Sequence, residues 1–234
     1  MEVQQNAKET GRVEAFSDGV FAIAITLLVL NFLEADLVHK SLDDGELLSE
    51  LIHLWPTLLA FVTSFAAIGV MWLNHHRIFS HITRLDNNLI LLNLLLLMIV
   101  TLVPFTTALV GPYLIYPDRH VAVIVYNGLY LLMALAFHAL WHYARHRHRL
   151  LGEMIDQQSA QSITDQYRFG PLFYLLVFAL SWIYPPASLG VNLLLAVFYA
   201  LPFSRKHKSE KIPQHPDTTQ ISPENDQQEK NVPR

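Results

Sequence analysis

Six apolar stretches, at residues 12–33, 54–74, 87–110, 120–144, 168–184 and 187–203, dominate this chain. Each approaches or reaches the roughly 20 residues that a helix needs to cross a bilayer. Backbone groups in hydrocarbon have no water to bond, and a helix satisfies them within one segment. The sequence therefore predicts an all-α integral membrane protein with six transmembrane helices. Composition agrees, since 52% of the 234 residues are hydrophobic and only 15% are charged, too apolar for an ordinary soluble domain. A five-span alternative joins 168–203 into one bent element. Pro56 falls near the start of the second helix, where a missing N–H costs least, and Pro185-Pro186 separates the last two. Pro104 should kink the third helix. Residues 1–203 make the membrane domain, and 204–234, rich in Pro, Gln, Asn and charged residues, make a disordered tail.

Charge sets the orientation. One group of connections carries Arg77 and Arg84, then Arg145, Arg147 and Arg149, then Arg205, Lys206 and Lys208. The other carries Glu34, Asp36, Asp43, Asp44, Glu46 and Glu50, then Asp118 beside Arg119. By the positive-inside rule the first group is cytoplasmic, which places both termini in the cytoplasm of a multi-pass protein of the cell membrane. Trp55, Trp72, Tyr113, Tyr116, Trp141 and Trp182 fit interfacial anchoring belts. A cleaved signal peptide is disfavoured by the acidic residues Glu2, Glu9 and Glu14, by Asp18 inside the run, and by the poor cleavage site at Glu34-Ala35-Asp36. No basic run with interleaved aromatics suggests nucleic acid. With no cysteine in the chain, disulfides, thiolate nucleophiles and cysteine metal sites are excluded.

The first apolar run opens with Arg12 and carries Ser17, Asp18 and Gly19 in its first turns. A carboxylate at that depth is costly unless paired or hydrogen-bonded. At about 100° per residue, Ile23, Leu27 and Leu30 fall within about 60° of one another, with Thr26 on the same flank. Asp18 lies about 140° from Ile23 and Ser17 about 120° away on the other side. Glu34 continues the stripe outward, toward an outer vestibule. If Ser17 and Asp18 point into their own subunit, the stripe is free to face a symmetry axis. Several copies would then set rings of Ile23 and Leu27 around a pore, with Thr26 hydroxyls close by, and hydrophobic constrictions gate by dewetting. The alternative is a lipid-facing or packing surface.

Partners for Asp18 are expected at the end of the second helix, where Trp72, Asn74, His75, His76 and Arg77 share its depth. A histidine ring, the Trp72 indole or Arg12 could donate to the carboxylate. His75, His76 and His81 also suggest a metal site, but adjacent histidines on a helix diverge by about 100°, so no metal or other cofactor is expected. His138, His142, His146 and His148 read as a solvated face running into an arginine-rich loop.

The segment Arg12-Val13-Glu14-Ala15-Phe16-Ser17-Asp18-Gly19 resembles the RxxxFSDG signature of the transmembrane protein 175 family, endosomal and lysosomal potassium channels with bacterial relatives. The following VFAIAITLLVL and the later WLNHH are similar to that family as well. The resemblance implies a potassium-permeable channel without a conventional filter, and a single six-helix repeat implies a homotetramer whose first helix lines a central pore. It places Ile23 at the hydrophobic constriction and Thr26 in an adjoining hydroxyl layer, with Leu27 and Leu30 as extensions of the wheel. It assigns Arg12, Ser17 and Asp18, within a motif that includes Phe16 and Gly19, to a structural network with helices two and three. Lipid and potassium ions are then the remaining partners. The sequence has no TVGYG loop, and Gly111-Pro112-Tyr113 reads as a helix exit turn. Selectivity for potassium over sodium should accordingly be weak.

Two rivals stand beside this reading. A proton-coupled secondary transporter would use Asp18 and His75 as a relay, but would favour inverted repeats and a site at mid-membrane. An enzyme is disfavoured because H-E-x-x-H, G-x-S-x-G and catalytically spaced carboxylates are missing.

Overall fold

Every regular element among the described residues is helical in the computed structural model, which defines residues 2–35, 42–113, 120–146, 150 and 157–200. Side chains at 2–7, 33–35, 157–163 and 165–167 lie outside that description, as does the tail expected at 204–234. In chain order the helices are α1 (Glu2–Leu27), α2 (Asp44–His53), α3 (Trp55–Phe79), α4 (Asn87–Thr101), α5 (Val103–Tyr113), α6 (Val121–His146), α7 (Gln157–Leu180) and α8 (Pro185–Ala200). A 3-10 segment, Leu28–Ala35, extends α1. Among the described residues, four helical stretches are long and apolar enough to cross a membrane: Lys8–Phe32, Trp55–Phe79, Asn87–Tyr113 and Val121–His146. The apolar parts of α7 and α8, Arg168–Leu180 and Pro185–Ala200, are shorter.

Several expected boundaries shift for local reasons. The third span breaks at Leu102 instead of kinking smoothly, because Pro104 has no N–H and is accommodated in the first turn of α5. There the Leu102 amide bonds Ile99, a tightened turn. Gly111, Pro112 and Tyr113, expected as an exit turn, complete the last turn of α5. The acidic segment before α3 was expected as loop, yet its second half is helical. Asp43 accepts from the Glu46 amide at 2.8 Å while Glu46 reaches back to the Asp43 amide at 3.2 Å, a capping box. The α-helical wheel fails beyond Leu27, because a 3-10 helix turns about 120° per residue. Extending the Ile23 stripe to Glu34 on a 100° wheel is therefore incorrect.

The bundle packs α3 against α5, α8 and α1, and α6 against α7, α4 and α5. Its core mixes aliphatic side chains such as Ile68, Leu96, Val100 and Leu140 with the aromatic rings of Phe21, Phe79, Tyr126 and Tyr130. Buried polar pairs cross between helices: Ser64 on α3 meets Thr107 on α5 at 2.7 Å and Tyr126 on α6 at 3.0 Å. Asn127 on α6 donates to Ser188 on α8 at 2.8 Å and accepts from Asn192. Interhelical hydrogen bonds and close approach at small residues are how helices associate where lipid is as apolar as leucine. Gly111 is such an approach: a Cβ there would lie 2.7 Å from Thr57 Oγ1 and 3.1 Å from its Cα.

Gly111→Ala should push α5 from α3 and lower stability by about 1–3 kcal/mol, the usual cost of overpacking. Gly69→Ala, which meets nothing within 4 Å, is the control. Thermal unfolding in detergent checks the pair, and equal midpoints would remove the close-approach role of Gly111.

Candidate functional site

Helix α1 has two unlike faces. Ser17, Phe21, Ala24 and Leu28 are buried against the chain's own helices, a spacing of one helical face. On the other side Phe16, Ile23, Leu27 and Leu30 are 57%, 60%, 41% and 45% exposed, and Arg12, Gly19 and Thr26 are exposed with them. Ser17 lies on the buried face, with Glu14 and Asp18 half-buried beside it.

That face is held by a chain of hydrogen bonds. Ser17 Oγ donates to the Val13 carbonyl at 2.8 Å and accepts from Asn93 Nδ2 at 3.0 Å. Asn93 Oδ1 accepts from His75 Nε2 at 2.9 Å. The chain joins α1, α4 and α3 through side chains that are almost wholly buried. His75 is also clasped by rings, tilted to Phe21 at 5.4 Å and stacked on Phe79 at 4.3 Å. Its Nδ1 is buried without a partner. With Ser17 spending its proton on Val13, the amide must donate to Ser17, so its oxygen must receive the Nε2 proton.

Two further bonds clamp α1 to α3 nearer the surface. The Trp72 indole donates to Asp18 Oδ1 at 2.8 Å, and His76 Nδ1 donates to Glu14 Oε1 at 2.8 Å. The Trp72 and His76 rings stack at 6.2 Å, so both donors belong to one surface. Three of the expected network residues, Ser17, Trp72 and Asp18, thus bond as donors or acceptors between helices, and His75 joins through Asn93.

Other expectations fall elsewhere. Arg12, Phe16 and Gly19 do not enter the network. They lie on the exposed face with Ile23 because their positions repeat along the same side of the helix. Asn74 accepts from Arg77 at 3.4 Å, one turn on within α3. Asp18 and His75 bond different partners, so the relay required of a transporter is not assembled. Asn93 and Glu14 were missed; an amide set inside the leucine run of α4, beyond the two asparagines at its start, was the available signal for the first.

Thr26 donates its hydroxyl proton to its own helix, at 2.9 Å from both the Ala22 and Ile23 carbonyls. Its oxygen lone pairs remain outward. No group of three His, Asp or Glu side chains among the described residues is placed to hold a metal ion. His138, His142 and His146 instead stack in a row at 6.1 Å spacings.

Residues 12–104 match the family described as endosomal/lysosomal potassium channel TMEM175. A protein named as a potassium channel of Chamaesiphon minutus is 53% identical over 193 residues, 82% of this chain and 94% of that protein. One so named from Streptomyces collinus is 44% identical over 82% of this chain and 91% of its own length. The crystal structure of a lysosomal potassium-selective channel TMEM175 homolog from Chamaesiphon minutus aligns with TM-score 0.69 and 50% identity, covering 82% of this chain and 97% of that one.

Asn93→Ala should cost about 1–3 kcal/mol because it strands the buried His75 donor, whereas Trp72→Phe removes one less buried bond and should cost about 0.5–1.5 kcal/mol. Unfolding midpoints in detergent rank the two, and the reverse order would show that the surface clamp holds α1.

Proposed function

The chain belongs to the TMEM175 family of ion channels, and on that premise we propose that it conducts potassium through a pore lined by α1. The observation that carries the reading is the exposed stripe of Ile23, Thr26, Leu27 and Leu30, opposite a face locked by buried hydrogen bonds. A helix fixed from behind presents the same front in every copy. Four copies around one axis, each with six membrane-crossing helices including α7 and α8, would turn that front into a closed wall. Both termini are then cytoplasmic, in a cell membrane.

In this arrangement Ile23 forms the constriction. A ring of branched aliphatic side chains offers an ion nothing in exchange for its hydration shell, so passage there requires partial dehydration. Potassium holds its water less tightly than sodium, and the barrier therefore favours it. Thr26 lies less than one turn farther along. Because its proton is committed to backbone carbonyls, each hydroxyl presents an acceptor oxygen to the cation. Four oxygens in a flexible ring replace hydration less completely than stacked carbonyls, which makes the preference for potassium over sodium weak. Leu27 and Leu30 line the adjoining apolar wall.

Flux in liposomes under potassium and sodium gradients tests the reading. Ile23→Ser should raise potassium flux severalfold and narrow the potassium-to-sodium ratio, while Thr26→Val should narrow the ratio with a smaller effect on total flux. Wild-type flux and preference in both variants would remove α1 as the selective wall.

A further inference from the structure

Helices α3, α6, α7 and α8 enclose a cavity of about 40 Å³ that the anchoring of α1 does not use. Much of its wall is apolar, including Met71, Phe137 and Ala196, but Asn74, Tyr174 and Tyr199 line it as well, and no charged side chain does. The Tyr199 hydroxyl is buried and meets no hydrogen-bonding group of the chain, in a residue only 5% exposed. A buried hydroxyl left in that condition is costly. Pro171, on the same wall, lies inside α7. It has no N–H, so the carbonyl of residue 167 loses its usual helical donor. Within a bilayer, ordered water is one of the groups that satisfy such a freed carbonyl. The place suits water too, since Asn74 and Tyr199 fall near the ends of α3 and α8 and Pro171 near the start of the apolar part of α7. The cavity therefore sits toward one end of the bundle and not at its middle.

We propose that this cavity holds a cluster of about three water molecules, which bridges the Tyr199 hydroxyl on α8 to the Asn74 amide on α3. A water needs about 10–15 Å³ of such space and two to four polar partners, and the cavity supplies both. The tyrosine hydroxyl and the asparagine amide each donate and accept, and water matches either role. A hydrocarbon chain would leave Tyr199 unpaired, and an ion would shed its hydration with no counter-charge on the wall. The bridge ties α8 to α3 through solvent, away from the α1 stripe, and does not rest on the channel reading.

X-ray radiolytic labelling of the full chain in bilayer discs, followed by peptide mass spectrometry, tests this directly, because radicals formed from bound water modify the side chains beside it. Sucrose in the bulk scavenges radicals formed outside the protein. Met71 and Tyr199 should be modified severalfold faster than Met133 and Tyr130, which are also buried but lie off the cavity. Sucrose should suppress labelling of the exposed Tyr184 and spare that of Met71 and Tyr199. Ala196→Leu, or Ala134→Leu if the first variant does not assemble, should fill the cavity and bring Met71 down to the rate of Met133. Tyr199→Phe, which keeps the ring and removes the hydroxyl, should slow Met71 labelling severalfold. The proposal is overturned by Met71 and Tyr199 reacting no faster than their controls, as a lipid tail in the cavity would leave them, or by sucrose suppressing them as it does Tyr184. A wild-type Met71 rate in Tyr199→Phe or in both filled variants overturns it equally.

Discussion

One amide, Asn93, decides how the first helix sits. In an apolar bundle a buried donor or acceptor without a partner is more costly than a good pair is favourable, so a polar side chain inside must find a defined neighbour. Asn93 finds two, accepting from His75 on α3 and donating to Ser17 on α1. Because Ser17 has already given its proton to Val13, no group in the chain can exchange roles without another losing its partner. The arrangement fixes both the depth and the rotation of α1. Everything proposed for the outward stripe follows from that rotation, since a turn of one residue's worth about the helix axis would carry Ile23 and Thr26 away from the common front.

Most of this was legible in the sequence, and the parts that were not share a physical origin. Apolar length announced the helices, and periodicity on α1 separated Ile23, Leu27 and Leu30 from Ser17 and Asp18 because both signals are local. The Trp72 indole was among the donors anticipated for Asp18, since charge alignment by membrane depth limits the choice. Asn93 was not anticipated: pairing across α4 depends on how three helices pack, which no single-helix wheel contains. Arg12 was grouped with the network through the family resemblance, and Phe16 and Gly19 through their place in the same motif, whereas helical geometry puts all three on the other face. The capping box at Asp43 and Glu46 was readable in principle, but acidic composition suggested a solvated loop.

The other polar pairs show the same economy on different helices. Ser64, Thr107 and Tyr126 tie α3, α5 and α6, and Asn127, Ser188 and Asn192 tie α6 to α8. Each set joins helices far apart in sequence. Such links specify which helices are neighbours, while small residues such as Gly111 set how closely they approach. Specificity and spacing are thus divided between two kinds of residue.

The 3-10 coiling of Leu28–Ala35 bears on reach as well as on register. Each residue in that form advances about 2.0 Å, against about 1.5 Å in an α-helix, so eight residues extend about 4 Å farther. With the inner part of α1 pinned by Asn93, all of the added length appears at the outer end. That increment is close to the roughly 5 Å by which thin and thick cellular bilayers differ. The same eight residues therefore span more of the membrane above an anchored base than an α-helix of equal length would.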